Sequence, residues 1–136
     1  MVQNKTGYLT ARVSTAGGAL PIEGALVRIK GAEEVNETVN YSRITDNDGI
    51  VLRIPLPTAS ASLSQSPNPA ESPYSLYNVE IARDGFFLKK LYNVAIFENI
   101  ETILPVNLIP RDMSENESYY PRGSINTIIK ESENPV

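Results

Sequence analysis

Apolar residues in this chain alternate with polar residues in short runs, and clusters of glycine, proline, aspartate and asparagine separate the runs. Because successive side chains of a β-strand point to opposite faces, each run predicts a half-buried strand. No stretch of about 11 residues shows a helical period. We therefore predict an all-β fold, a two-sheet sandwich of about seven strands. The runs occupy residues 7–14, 25–30, 38–45, 50–54, 75–82, 87–97 and 102–109.

Turn residues between the runs predict how some strands connect. The sequence Asp46-Asn47-Asp48-Gly49 is a strong turn signal, so runs 38–45 and 50–54 are expected to form a hairpin. Pro105 lacks the amide hydrogen that a central strand would donate. The last strand is therefore expected to lie at a sheet edge or to contain a bulge.

The chain divides into a short N-terminal arm at 1–6, one sandwich domain at 7–110 and a polar tail at 111–136. Within the domain, residues 57–73 are mostly serine, alanine and proline, which disfavour both helix and sheet. This stretch is expected to be a long exposed loop, either a contact surface or an inert insertion. The tail contains a strand-like segment at 124–130, which has no evident place in a finished sandwich.

Composition excludes several kinds of function. The chain has neither cysteine nor histidine, so thiolate chemistry, imidazole bases and the commonest metal ligands are missing; we expect no enzyme activity, no cofactor and no metal site. A net charge of −4 argues against nucleic-acid binding. The longest apolar runs are far shorter than the roughly 20 residues of a membrane-spanning helix.

Asp46, Asp48 and Gly49 have the spacing of the first residues of a calcium-binding loop. The twelfth position of such a loop, counted from Asp46, is Pro57 rather than the bidentate glutamate that calcium requires. We therefore interpret these residues as a turn.

Three motifs in order resemble the carboxypeptidase-regulatory-like family: Pro-Ile-Glu-Gly-Ala-Leu-Val at 21–27, Thr-Asp-Asn-Asp-Gly at 45–49, and Tyr-Asn-Val-Glu-Ile-Ala-Arg-Asp-Gly-Phe at 77–86. The resemblance covers about residues 7–110 and implies a transthyretin-like, immunoglobulin-like sandwich. The Ser/Pro-rich stretch and the endings Asn-Val-Ala-Ile-Phe at 93–97 and Leu-Pro-Val-Asn-Leu-Ile-Pro at 104–110 also resemble the N-terminal domain of clostridial spore cortex-lytic enzymes and their small stand-alone relatives. In those enzymes this domain does not cut peptidoglycan, so the resemblance implies no hydrolase activity.

Two functions follow as hypotheses. The first is a structural module of the bacterial cell or spore surface that self-associates by adding a strand, from its tail or arm, to a neighbour's sheet edge. The second is an accessory binding module for peptidoglycan or another surface protein. The candidate contact residues are exposed tyrosines and the isoleucines of the tail segment: Tyr74, Tyr119, Tyr120, Ile125, Ile128 and Ile129.

The expected location is extracellular, at the cell or spore surface. Residues 1–6 have neither the basic start nor the apolar stretch of a secretory signal, so a cytoplasmic or mother-cell location stays open.

Overall fold

A computed structural model describes residues 5–65 and 72–111 of the chain. Short 3₁₀ turns follow β1, β3 and β5, at Ala16–Gly18, Glu34–Asn36 and Ala61–Gln65. The described strands are β1 (Lys5–Thr15), β2 (Leu20–Pro21), β3 (Leu26–Gly31), β4 (Asn40–Ile44), β5 (Ile50–Thr58), β6 (Tyr74–Ala82), β7 (Lys89–Phe97) and β8 (Glu101–Asn107). All seven predicted strands are present, within a few residues of their expected bounds, and β1 already begins inside the expected arm.

The strands form two sheets of four. In the first sheet β1 is central: it pairs antiparallel with β2 and β5 and parallel with β8. In the second sheet the order is β4-β3-β6-β7, with every pair antiparallel. Within the described residues β8 pairs with β1 alone, so Pro105 lies in an edge strand as its missing amide predicts.

The core lies between the two sheets and is built from the inward residues that the alternation predicts. In β1 these are Leu9, Ala11 and Val13, which are at most 1% exposed. The inward residues of β3 and β6 are also buried, and Ile54, Leu56, Ile96 and Val106 from the remaining strands are at most 2% exposed. Burial of this continuous apolar layer is the main force that holds the sheets together.

The predicted hairpin between runs 38–45 and 50–54 is wrong. β4 pairs with β3 in the second sheet, whereas β5 pairs with β1 in the first sheet, so the turn at 46–49 crosses between sheets. The turn itself forms as expected, because Asp46 Oδ1 accepts hydrogen bonds from the backbone of Asp48 and Ile50, both at 2.9 Å. Its direction is set by Gly49, whose carbonyl accepts the Val13 N–H at 2.7 Å and docks the turn on β1.

The expected loop at 57–73 begins later than predicted. β5 continues to Thr58, and Thr58 and Ala59 are fully buried. The Thr58 hydroxyl donates to the Ile96 carbonyl at 2.6 Å, and the Ala59 N–H donates to Ser75 Oγ at 3.0 Å. These buried bonds hold the start of the stretch between the sheets. Residues 66–71 lie outside the described residues.

Candidate functional site

The β4 edge is the first candidate surface. Among the described strands β4 pairs with β3 alone. The Gly31 N–H donates to the Val39 carbonyl at 3.1 Å and the Thr45 N–H donates to the Ala25 carbonyl at 2.9 Å. Because bonding directions alternate along an antiparallel strand, the odd-numbered residues of β4 bond to β3. The backbone groups of Asn40, Ser42 and Ile44 therefore point away from the sheet, and we call these three residues the β4 edge.

The other outer strands of the two sheets carry features that oppose strand addition. In β5, Pro55 and Pro57 lie opposite Tyr8 and Thr6 of β1 and have no N–H to offer a new neighbour. β8 contains Pro105, and β7 carries two lysines and a bulge. Within the described part of the chain, β4 alone among these four strands has no proline, no lysine and no bulge.

Arg43 lies along the β4 edge. Its Nη1 donates to the carbonyl of Ser42 at 3.0 Å, and its guanidinium carbon is 5.5 Å from the centre of the Tyr41 ring. Both contacts are at the surface, where such interactions are worth about 0.5–1 kcal/mol. An arriving strand would need to displace this side chain from one outward-facing carbonyl, which costs little.

A groove on the outer face of the second sheet is the second candidate surface. It crosses β3, β6 and β7 and has a volume of about 350 Å³. Val79 and Leu91 are among its lining residues, although the Val79 side chain is buried in the core, and the lining side chains of the other residues are polar or charged. We call this the outer groove, and its polar lining is Arg28, Lys30, Asn78, Glu80, Lys90 and Tyr92.

The outer groove is positively charged. Glu80 lies between Arg28 and Lys90, with nitrogen-to-oxygen distances of 3.7 Å to each. The side-chain ammonium group of Lys30 makes no hydrogen bond or ion pair with the described part of the chain. Three cations against one carboxylate give the groove a formal charge of +2, opposite in sign to the −4 of the whole chain.

Tyr92 stands out from this groove because of a bulge in β7. Tyr77 pairs with Val94 and Val79 pairs with Leu91, so two residues of β7 face Asn78 alone. One of them, Asn93, has a φ of +59°, and its N–H donates to Asn78 Oδ1 at 3.1 Å. The other is Tyr92, which is 66% exposed.

A polar cluster on the outer face of the first sheet has a structural explanation. Thr10 is 3% exposed although it points away from the core. Its hydroxyl donates to a carboxylate oxygen of Glu101 and accepts the Arg53 N–H at 2.9 Å. Arg53 also lies 4.2 Å above the ring of Tyr8 and 3.5 Å from Glu101. These contacts give the Arg53 N–H, at a bulge of β5, a hydrogen-bond acceptor, and they link β1, β5 and β8.

The structure places the predicted contact residues differently from the expectation. Tyr74 begins β6 and is half-buried, with its ring centre 5.3 Å from that of Phe97. The exposed tyrosine of the described sheets is instead Tyr92, which the sequence analysis did not single out. A bulge depends on pairing with another strand, so alternation within β7 could not reveal it. The remaining candidates, Tyr119, Tyr120, Ile125, Ile128 and Ile129, lie outside the described residues.

Neither a metal cluster nor a membrane-spanning helix is found in the described residues. No three acidic side chains there come together as metal ligands would. The described ranges also contain no helix of the length and apolarity needed to cross a bilayer.

Comparison with known proteins shows similarity in fold. No protein-family model matches the chain, and no curated protein is significantly similar to it in sequence. Among solved structures, the Bacillus anthracis TIE protein is 15% identical with a TM-score of 0.52, and the match covers 78% of this chain and 17% of that protein. The all-β, two-sheet sandwich that the sequence predicts is confirmed. The resemblance to the cortex-lytic enzymes stays a prediction.

Two further similar structures are enzymes. Catechol 1,2-dioxygenase from Pseudomonas arvilla C-1 is 14% identical with a TM-score of 0.53, and the match covers 90% of this chain and 58% of that enzyme. Hydroxyquinol 1,2-dioxygenase from Pseudomonas putida DLL-E4 is 9% identical with a TM-score of 0.54, covering 82% and 58%. The expectation that this chain is not an enzyme is therefore corrected, because enzymes contain this fold. At these identities the similarity concerns the fold alone.

Proposed function

We propose that this protein is an assembly module, which joins another copy of itself by adding a β-strand at the β4 edge. The observation that carries the proposal is the contrast between edges: β5 and β8 contain prolines, whereas β4 offers an uninterrupted row of outward backbone groups. Natural proteins block edges that must stay unpaired. An unblocked edge is therefore a reasonable site of association.

The donor in this proposal is the tail segment at 124–130, Ser-Ile-Asn-Thr-Ile-Ile-Lys. It is rich in β-branched residues, which favour strands, and its length exceeds the five residues of β4. The resemblance to spore-enzyme domains suggests the bacterial cell or spore surface as the setting. Assembly there would build a layer of linked copies.

The expected affinity follows from the number of backbone groups. Three outward residues offer six groups, and each net hydrogen bond is worth about 0.5–1.5 kcal/mol. Ordering the donor segment and losing translational freedom consume much of that gain. One junction should therefore be weak, with a dissociation constant of about 1 μM or higher.

The test compares masses in solution by light scattering, from about 10 μM to 1 mM. The intact chain should associate, and a chain truncated after Pro110 should be monomeric. Ser42→Pro should also be monomeric, because proline removes an outward N–H without breaking a bond to β3. Ser42→Ala is the matched control: it removes the same hydroxyl, keeps the N–H and should associate as the intact chain does.

Two results would contradict the proposal. If the intact chain stays monomeric at 1 mM, self-association is wrong. If Ser42→Pro, shown to be folded by circular dichroism, associates as strongly as Ser42→Ala, then β4 is not the acceptor edge. The truncated chain tests the donor alone, because it keeps the β4 edge and lacks the tail segment.

The alternative from the sequence was a binding module for peptidoglycan or another surface protein. Its expected contact residue Tyr74 is half-buried beside Phe97, which weakens that part of the argument. The observation that favours ligand binding is the outer groove, which is on the opposite side of β3 from the core and does not include the β4 edge.

A further inference from the structure

We propose that the outer groove binds a saccharide that carries a carboxylate group. This goes beyond assembly at the β4 edge and depends on different residues. The groove combines an exposed aromatic ring, a lysine with no side-chain partner among the described residues, and a carboxylate held between two cations. Each of these features matches one chemical part of a sugar acid.

In this proposal Tyr92 contacts the ring of the sugar. Its side chain is 66% exposed, and the Asn93–Asn78 hydrogen bond holds the bulge that presents it. The negative face of an aromatic ring attracts the slightly positive C–H groups on one side of a pyranose. A tyrosine also buries a large area with little loss of side-chain entropy, which suits it to ligand contact.

In this proposal the ammonium group of Lys30 binds the carboxylate of the ligand. Lys30 lies opposite Asn78 in the pairing of β3 with β6, two residues along β6 from Glu80. No described residue neutralises its ammonium group. A ligand carboxylate would supply that missing partner, and the +2 charge of the groove would draw an anion toward it.

In this proposal Glu80 accepts hydrogen bonds from the hydroxyl groups of the ligand. Arg28 and Lys90 both lie 3.7 Å from the carboxylate oxygens of Glu80, farther than a strong hydrogen bond. The oxygens thus keep lone pairs that can accept ligand hydroxyls, while the two cations keep donors. Neighbouring donors and acceptors suit a polyhydroxylated ligand.

The size of the groove limits the ligand. Small-molecule sites are typically about 300–1,000 Å³, so a groove of about 350 Å³ accepts one or two sugar rings. It is open to solvent along one side and its contacts are polar. We therefore expect fast exchange and a dissociation constant of about 0.1–1 mM.

The test is an NMR titration of the full-length, ¹⁵N-labelled protein with two matched disaccharides. Cellobiouronic acid carries a carboxylate on one glucose ring, and cellobiose has a hydroxymethyl group in its place. The acid should shift the backbone amides of residues 28–30, 78–80 and 90–92 and bind at least about 5-fold more tightly than cellobiose. A ratio of the two affinities of about 5- to 10-fold is what one hydrogen-bonded charge pair of moderate strength would contribute.

Variants then separate the two contacts. Lys30→Gln should abolish the preference for the acid, and Tyr92→Ala should weaken both disaccharides about tenfold. Lys89→Gln and Phe87→Ala are matched controls: Lys89 is exposed, Phe87 is 53% exposed, and neither lines the groove. Both controls should change affinity less than twofold. Well-dispersed amide spectra will show that each variant is folded.

The proposal is overturned if neither disaccharide shifts groove amides at about 20 mM, or if the acid and cellobiose bind equally. It is also overturned if the control variants weaken binding as much as Lys30→Gln. A soluble muropeptide, added in a separate titration, distinguishes the source of the carboxylate: tighter binding than the uronic acid indicates peptidoglycan, and weaker binding indicates an acidic polysaccharide. Ser42→Pro should bind normally, so a failure here leaves the assembly proposal intact.

Discussion

The backbone N–H of Arg53 donates a hydrogen bond to Oγ1 of Thr10 across 2.9 Å. The second sheet contains the same arrangement, in which the N–H of Asn93 donates to Oδ1 of Asn78 at 3.1 Å. Both donors have positive φ values, +48° and +59°, at a register shift in an outer strand. A side chain on the neighbouring strand thus satisfies the amide that each bulge leaves unpaired.

Replacing Thr10 with valine should lower the free energy of unfolding by about 1–3 kcal/mol. Valine keeps the branched shape but removes both the acceptor for Arg53 and the donor to Glu101. Urea denaturation measures the change. Thr6→Val, on the same face of β1, is the control and should change stability by less than about 0.5 kcal/mol. Equal effects of the two substitutions would contradict the role given to Thr10.

Replacing Asn93 with alanine should cost about 1 kcal/mol more than replacing it with glycine. Positive φ is strained for most residues with a Cβ, whereas asparagine tolerates it and glycine has no penalty. Urea midpoints of the two variants provide the comparison. A glycine variant no more stable than the alanine variant would show that the left-handed conformation at this bulge is not maintained.

Tyr77 should make stability fall at high pH. Burial, opposed by the hydrogen bond with Asn36 and assisted by nearby Tyr41 and Glu33, raises the pKa of Tyr77 to about 12. Because this exceeds the unfolded value of about 10, the unfolded chain loses the proton first as pH rises. The contribution of this pKa shift to the free energy of unfolding is complete below about pH 10 and is lost by about pH 12.

The measurement for Tyr77 is the unfolding free energy from pH 8 to 12, compared with that of Tyr77→Phe. The phenylalanine variant should be less stable at pH 8, because the buried tyrosine hydroxyl donates to the Pro57 carbonyl, which would lose its partner. The difference between the two proteins should shrink above pH 10. Parallel pH curves would show that Tyr77 does not titrate differently in the folded state.

Replacing Gly31 with alanine should destabilise the protein by about 2 kcal/mol or more. An added Cβ would overlap the main-chain carbonyl of Asn36. Asn36 is 1% exposed; its side chain accepts from the Glu33 N–H and donates to the Leu76 carbonyl, so it cannot move without breaking buried bonds. Lys30→Ala, at the exposed preceding residue, should have little effect. A Gly31→Ala midpoint equal to that of the Lys30→Ala control would refute the packing argument.

Much of the fold was predictable from local pattern. A two-residue period identifies a strand and its buried face wherever one face meets the core, and Leu9, Val27 and Val79 lie at the buried positions of such runs. Pro105 indicated an edge for the same local reason, its missing amide hydrogen. Of the candidate contact residues only Tyr74 lies in the described part of the chain, and its packing on Phe97 was not foreseeable, because the two residues come together through pairing of β6 with β7.

The sequence by itself determined the all-β class, the strand positions and the inward faces, because these depend on neighbours along the chain. Only the tertiary structure decided which strands pair. The turn at 46–49 leads into the other sheet rather than back along β4, because Gly49 docks on Val13, far away in sequence. Exposure of Tyr92 and burial of Thr10 were decided in the same way: each depends on a bulge, and a bulge exists only in relation to the strand that pairs with it.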